Sequence, residues 1–156
     1  MKQKRTLLAG AAFLVYGLLM IYLLFGQRMG QVPVGTYWQR IQRNLNLKPL
    51  DTLWRFWWVL CNSADPDALR HAVVNLAGNV VMFVPLGCLT PCIWGKMQKF
   101  WRHFLYMVLI IVCIEVLQLF TLLGSCDVDD LILNLVGTAI GFVLWKIGAQ
   151  ISRKQK

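Results

Sequence analysis

Four apolar runs, each about twenty residues long, constrain this chain more than any other feature. They are Thr6 to Phe25, His71 to Trp94, Phe104 to Gly124 and Leu131 to Ile151. A helix rises about 1.5 Å per residue, so roughly 20 residues cross a hydrocarbon core of about 30 Å. A soluble fold of this size must cover itself with polar groups. Here only 15% of the 156 residues are charged and 58% are hydrophobic, where soluble chains average about 25% charged. So much apolar surface also excludes a solvated, disordered chain. The expected fold class is all-α, a polytopic membrane helix bundle of about four transmembrane helices forming one domain over residues 1–156. The first run follows Lys2, Lys4 and Arg5. It exceeds the roughly 7–15 residues of a signal-peptide core, and no A-x-A site precedes Arg28. A retained helix is expected there.

The 16 Lys+Arg against 7 Asp+Glu give a net charge of +9. In a soluble protein that surplus would point to nucleic acid. Here the basic residues flank apolar runs, so no nucleic acid partner is expected. Lys96, Lys99 and Arg102 lie between the second and third runs, and Lys146, Arg153, Lys154 and Lys156 near the end. The turn between the third and fourth runs holds Asp127, Asp129 and Asp130 and no basic residue. Basic loops stay in the cytoplasm, so both termini are expected there. Residues 26–70 are basic too, but long loops obey the rule poorly. Within them, residues 50–61 include Trp54, Phe56, Trp57 and Trp58. The stretch is too short to span and too apolar for a solvated loop. An interfacial or re-entrant helix is expected, because Trp favours the headgroup region. Trp94, Trp101 and Trp145 lie by cytoplasmic ends.

Polar residues inside spans are costly and usually face protein or a cavity. Asn75 and Asn79 are four apart, Glu115 and Gln118 three apart, and Asp130 and Asn134 four apart. Each pair therefore shares a helix face. By topology all lie towards the outer leaflet, with Glu115 about nine residues, or ~14 Å, below the helix end. Interhelical hydrogen bonds at about 0.6 kcal/mol apiece are the plain alternative. Glu115 needs a partner or a proton, and Arg43, Arg55 or Arg70 can reach in from the loop. Asp127, Asp129 and Asp130 are either weak candidates for a divalent cation or caps of the fourth helix. The spacing is no EF-hand. Pro85 and Gly87 suggest a kink, and Gly137 and Gly141 a close helix approach. There is no Ser-His-Asp set, G-x-S-x-G or phosphate loop. The five cysteines have no zinc spacing or C-x-x-C, so Cys88 and Cys92 read as packing residues. His71 and His103 fall at opposite faces. No cofactor is expected.

These residues resemble the VanZ-like family of small membrane proteins. Its pattern joins N-L-x-P-F, N-x-x-x-F-x-P-[LF]-G, E-x-x-Q and an acidic turn leading to D-x-x-x-N-x-x-G. This chain carries Asn46-Leu47-Lys48-Pro49-Leu50, Asn79 through Phe83 and Pro85 to Gly87, Glu115 with Gln118, and Asp127 to Asp130 followed by Asn134 and Gly137. The motif-bearing core spans about residues 43–150. Leu50 stands where the pattern has Phe, and Gly124 where many members have an Arg. If that Arg is the carboxylates' counter-ion, either an Arg from residues 40–70 substitutes or the site is altered. The resemblance implies a bacterial cell-membrane protein of the cell envelope, and its namesake lowers susceptibility to the lipoglycopeptide teicoplanin. It does not establish an activity or antibiotic resistance for this chain.

Three functions compete. The first is a non-enzymatic protein binding an amphiphile at the outer leaflet, either a lipid-linked cell-wall precursor or a lipoglycopeptide. Its ligand-binding set is Arg43, Asn46, Asn75, Asn79, Glu115, Gln118, Asp127, Asp130 and Asn134, with arginine suited to phosphate. The second is an intramembrane enzyme on a lipid head group, with Glu115 as acid or base. The third is a structural or assembly partner, including a homo-oligomer through Gly137 and Gly141.

Overall fold

The computed structural model describes residues 2–26 and 34–154. Among the basic residues used for orientation, Lys156 lies outside them. The order is α1 (Lys2–Phe25), α2 (Tyr37–Asn44), β1 (Leu45–Asn46), α3 (Asp51–Asn62), α4 (Pro66–Ile93), a 3-10 turn (Gly95–Gln98), α5 (Phe100–Thr121), β2 (Cys126–Asp127) and α6 (Val128–Lys154). Four of the helices, α1, α4, α5 and α6, are long and apolar enough to cross a membrane. The molecule is a multi-pass, all-α membrane bundle. Helix α4 begins before its apolar run because polar residues there supply a start. Asp65 accepts the Asp67 amide at 3.1 Å, and Pro66 occupies the first turn, where a missing N–H costs nothing.

Four crossings put residues 34–65 and 122–127 at one face of the bundle, and residues 94–99 at the other. At the first face the aromatic segment is helical, as expected, with Trp54, Trp57 and Trp58 exposed. The sequence reading missed α2, held by a reciprocal cap between Thr36 and Gln39. It also missed the parallel pairing of β1 with β2, Leu45 against Cys126 and Asn46 against Asp127.

The core centres on Phe83 and Leu86 of α4 and Met107 and Ile111 of α5, with Met20 from α1 closing one side. The outer face of α1, including Leu7, Leu14, Val15 and Leu18, is exposed, as a lipid-facing surface would be. Helices α4 and α6 meet backbone to backbone. A Cβ at Gly137 would lie 2.2 Å from the Val80 carbonyl oxygen, and one at Gly141 2.1 Å from that of Val84. Gly87 answers from α4, 2.1 Å from the Thr138 carbonyl oxygen. The glycines therefore serve packing within the chain. In hydrocarbon, where burial no longer drives helices together, such contact is a main source of association.

Candidate functional site

Between α1, α4, α5 and α6, in the half of the bundle nearer α3, lies a half-open cavity of about 560 Å³. Its volume is within the range of ligand pockets. One wall is apolar, formed by α1 (Leu19, Met20, Leu23) and α4 (Val81, Met82). Tyr16 holds that wall together through its hydroxyl, which donates to the Met82 carbonyl at 2.7 Å.

The rest of the lining is mostly polar. Asn79 Nδ2 donates to Asp130 Oδ1 at 2.5 Å, joining α4 to α6. Asn134 Nδ2 approaches Glu115 Oε1 at 3.4 Å, joining α6 to α5, and the Asp127 amide approaches Glu115 Oε2 at the same distance. Glu115 is 4% exposed and Asn134 2%, so these groups lie within protein and not in lipid. Asn75, one turn before Asn79, also lines the cavity. The side-chain oxygens of Asn75 and Asn134 are buried and have no hydrogen-bond partner among the described residues. Buried acceptors left unmet cost about 1–3 kcal/mol each.

A second polar cluster lies beside the cavity without lining it. Thr52 Oγ1 donates to Asp127 Oδ2 at 2.6 Å, and Asn46 Nδ2 to the same oxygen at 3.1 Å. The other Asp127 oxygen accepts the Asp129 amide at 2.8 Å, capping α6. Asp129 itself, fully buried, accepts the amides of Leu50 at 2.6 Å and Leu53 at 3.0 Å. It thus caps α3 from another helix, where Leu50, at φ +66°, supplies no side-chain cap. Both carboxylates are committed to backbone, hydroxyl and amide donors, with Asp127 capping α6 and Asp129 capping α3, while Asp130 pairs with Asn79. Among the described residues, no group of three His, Cys, Asp or Glu side chains is placed to hold a metal ion. At Cys126, burial pushes the thiol above its usual pKa, and the carboxylates of Glu115 and Asp127 push the same way.

The structure divides the residues singled out from sequence. It gathers Asn75, Asn79, Glu115, Gln118, Asp130 and Asn134 around the cavity. Asn46 and Asp127 join the structural cluster instead. Arg43 joins neither, and its guanidinium donates to the Val34 carbonyl at an exposed edge. The reason is reach, since α2 ends before the chain turns towards α6 and points Arg43 back along its own start. Arg55 donates to Thr52 Oγ1 at 3.2 Å and pairs with Asp51 at 3.5 Å. Gly124 is buried under Gln118, whose Cβ would lie 2.6 Å from any Cβ there. Gln118 in turn donates to the Leu24 carbonyl at 3.2 Å, tying α5 to α1. Thr52 was missed in the sequence, and a threonine in the first turn of an aromatic helix gives no warning of a partner 75 residues away.

Comparison with curated proteins and with solved structures returned no match. The family model described as VanZ/LLP1 matches residues 13–149, which take in all of α2 to α5 and both polar clusters. By that match over most of its length, the chain belongs to the VanZ/LLP1 family.

Proposed function

We propose that this protein binds an amphiphile in the cavity, with the acyl chain along the α1–α4 wall and the head group against Asn79, Asp130, Glu115 and Asn134. The observation that carries this reading is one half-open cavity, about 560 Å³, lined both by apolar side chains of α1 and α4 and by a buried to half-buried polar set from α4, α5 and α6. A purely structural polar cluster would be closed by its own partners, as the Asp127 and Asp129 cluster is. The cavity wall instead leaves two buried amide oxygens unmet.

The basic residues at 96, 99 and 102, with those near both termini, support a cytoplasmic location for that face. The cavity then opens towards the outer leaflet of a bacterial cell membrane. Ligands available there include lipid-linked cell-wall precursors, and a lipoglycopeptide tail would fit the same chemistry. Lowered teicoplanin susceptibility would follow from capture of either.

The test is photocrosslinking with a lipid carrying a diazirine in its acyl chain, on purified protein in nanodiscs. Adducts are expected on α1 and α4 at Leu19, Leu23 and Val81, with yield falling about tenfold in Asn79→Ala and Asp130→Asn. Adducts spread evenly over the outer face of α1, unchanged by both substitutions, would refute cavity binding. A susceptibility profile of cells carrying the parent or Glu115→Gln would then separate drug resistance from housekeeping.

A further inference from the structure

We propose that the end of the bundle around residues 94–102 holds the head group of an anionic phospholipid on Lys99, Arg102 and Lys146. This is independent of the cavity and concerns the opposite face. Three rings touch Phe142 of α6 there, with centroids at 4.8 Å for His103, 5.4 Å for Trp145 and 5.7 Å for Phe100. Each has a basic residue next to it in sequence, Arg102, Lys146 and Lys99 in turn, and all three basic side chains are exposed. The stacked rings thus bring the backbone of three cations to one junction of α5 with α6.

No carboxylate side chain of the protein lies near enough to neutralise them. All seven Asp and Glu fall outside residues 68–114 and 131–156. Along α5, Glu115 stands 13 residues from Arg102, about 20 Å of helix. Along α6, Asp130 stands 16 residues from Lys146, about 24 Å. The other acidic residues belong to the face that carries α3. These gaps exceed the roughly 8 Å over which exposed charges act in physiological salt, so the counter-charge comes from outside the chain. The surroundings favour a lipid as its source. Leu105 and Val143 are exposed and lie three residues deeper than Arg102 and Lys146 on the same two helices, so each cation shares a helix face with apolar surface. Trp101, also exposed, suits head-group depth. A phosphate held by the cations would lay its acyl chains along those side chains, and basic clusters beside a span attract anionic lipids in this way. A soluble polyanion would leave that apolar margin unused.

The experiment is native mass spectrometry of the full chain in detergent, with phosphatidylglycerol and phosphatidylcholine of matched acyl chains. Phosphatidylglycerol carries a net negative charge and phosphatidylcholine none, and the former is expected to be retained at least about tenfold better. Lys99→Gln, Arg102→Gln and Lys146→Gln should each cut that preference by up to about fivefold, and the three together should bring it close to parity. Exposed positions of this kind tolerate substitution, so folding is expected to survive. A second triple variant, Arg43→Gln, Lys48→Gln and Arg70→Gln, removes the same charge from the opposite face and should keep the preference, as should Asn79→Ala in the cavity. Equal retention of the two lipids in the parent overturns the assignment. So does an equal fall in the two triple variants, or a preference lost in Asn79→Ala but kept without the three cations, which would put the anionic lipid in the cavity. Tighter retention of polyglutamate or a DNA oligonucleotide than of either lipid would overturn it too, by giving this face to a soluble polyanion.

Discussion

Asp129 and Asp130 are neighbours of the same charge, yet the structure gives them opposite work, and Asp→Asn at each tests that division. Asp129 is fully buried and takes two backbone amides of another helix, Leu50 at 2.6 Å and Leu53 at 3.0 Å. A hydrogen bond to a charged group contributes about 1.5–3 kcal/mol. Asn keeps one accepting oxygen and presents an NH₂ to the other amide, so one bond is lost and a donor faces a donor. The expected cost is about 3 kcal/mol, a large share of a typical stability of about 5–15 kcal/mol. At about 2–4 °C per kcal/mol for a chain of this size, the midpoint should fall by about 6–12 °C. Asp130 is only half-buried, and its bond to Asn79 Nδ2 uses an oxygen that an asparagine still supplies. Its substitution is expected to cost less stability than that of Asp129 and to act on ligand retention. Thermal unfolding in detergent can be followed by tryptophan fluorescence, since three of the seven tryptophans lie on α3 beside the Asp129 bonds. Hydrogen exchange adds a local check, with the Leu50 and Leu53 amides expected to lose protection before the spans do. If the two substitutions lower the midpoint equally, or Asp130→Asn lowers it more, the assignment of Asp129 as the cap of α3 is wrong.

Gly141→Leu should part α4 from α6, because backbone atoms of Val84 and Cys88 stand 2.1 and 2.8 Å from the new Cβ. A cost of about 1–3 kcal/mol is expected, and disulfide formation between Asn79→Cys and Asp130→Cys, ready in the parent background, should slow. At Cys126 the raised thiol pKa means less thiolate at any given pH near neutrality. Maleimide labelling should therefore be slow at pH 8, still climb above pH 9, and speed up in Glu115→Gln, which removes one of the opposing charges. Arg43→Ala should leave lipid retention within about twofold, as for other surface substitutions, because Arg43 serves the Val34 carbonyl and not the cavity. A tenfold loss there would mean the polar wall is misassigned.

The spans were legible because membrane crossing is a matter of length and apolarity, and both are local. The convergence of Asn79, Glu115, Asp130 and Asn134 was legible for a related reason. Antiparallel crossings fix depth, so residues at matching distances from their helix ends meet if they face inward. Interaction between α2, β1, α3 and the start of α6 obeys no such rule. The Asn46–Asp127 pairing joins residues 81 apart, and Asp129 was open to two roles, cation ligand or cap of the fourth helix, until Leu50 and Leu53 were seen beside it. Arg43 misled because charge complementarity suggested an arginine near the carboxylates, while α2 directs that side chain to its own N-terminal end. Gly137 and Gly141 were read rightly as a close approach, but the sequence left open whether the neighbour was another copy. The facing backbone of α4 answers that within the chain.

The two polar clusters have to be adjacent for the cavity to work. Burying unmet acceptors is destabilising, so the helices carrying them would relax to close the cavity if nothing held them apart. Asp127 and Asp129 hold the start of α6 against β1 and α3 from outside. The glycine face holds the rest of α6 against α4. With both fixed, Asp130 and Asn134 cannot turn to other partners, and the polar wall stays open towards α1. That helix meets the bundle through Met20, the Tyr16 hydroxyl and the Leu24 carbonyl, while its outer face stands free. Of the spans lining the cavity, α1 is thus the most weakly attached, while α6, which carries Asp130 and Asn134, is held from both sides.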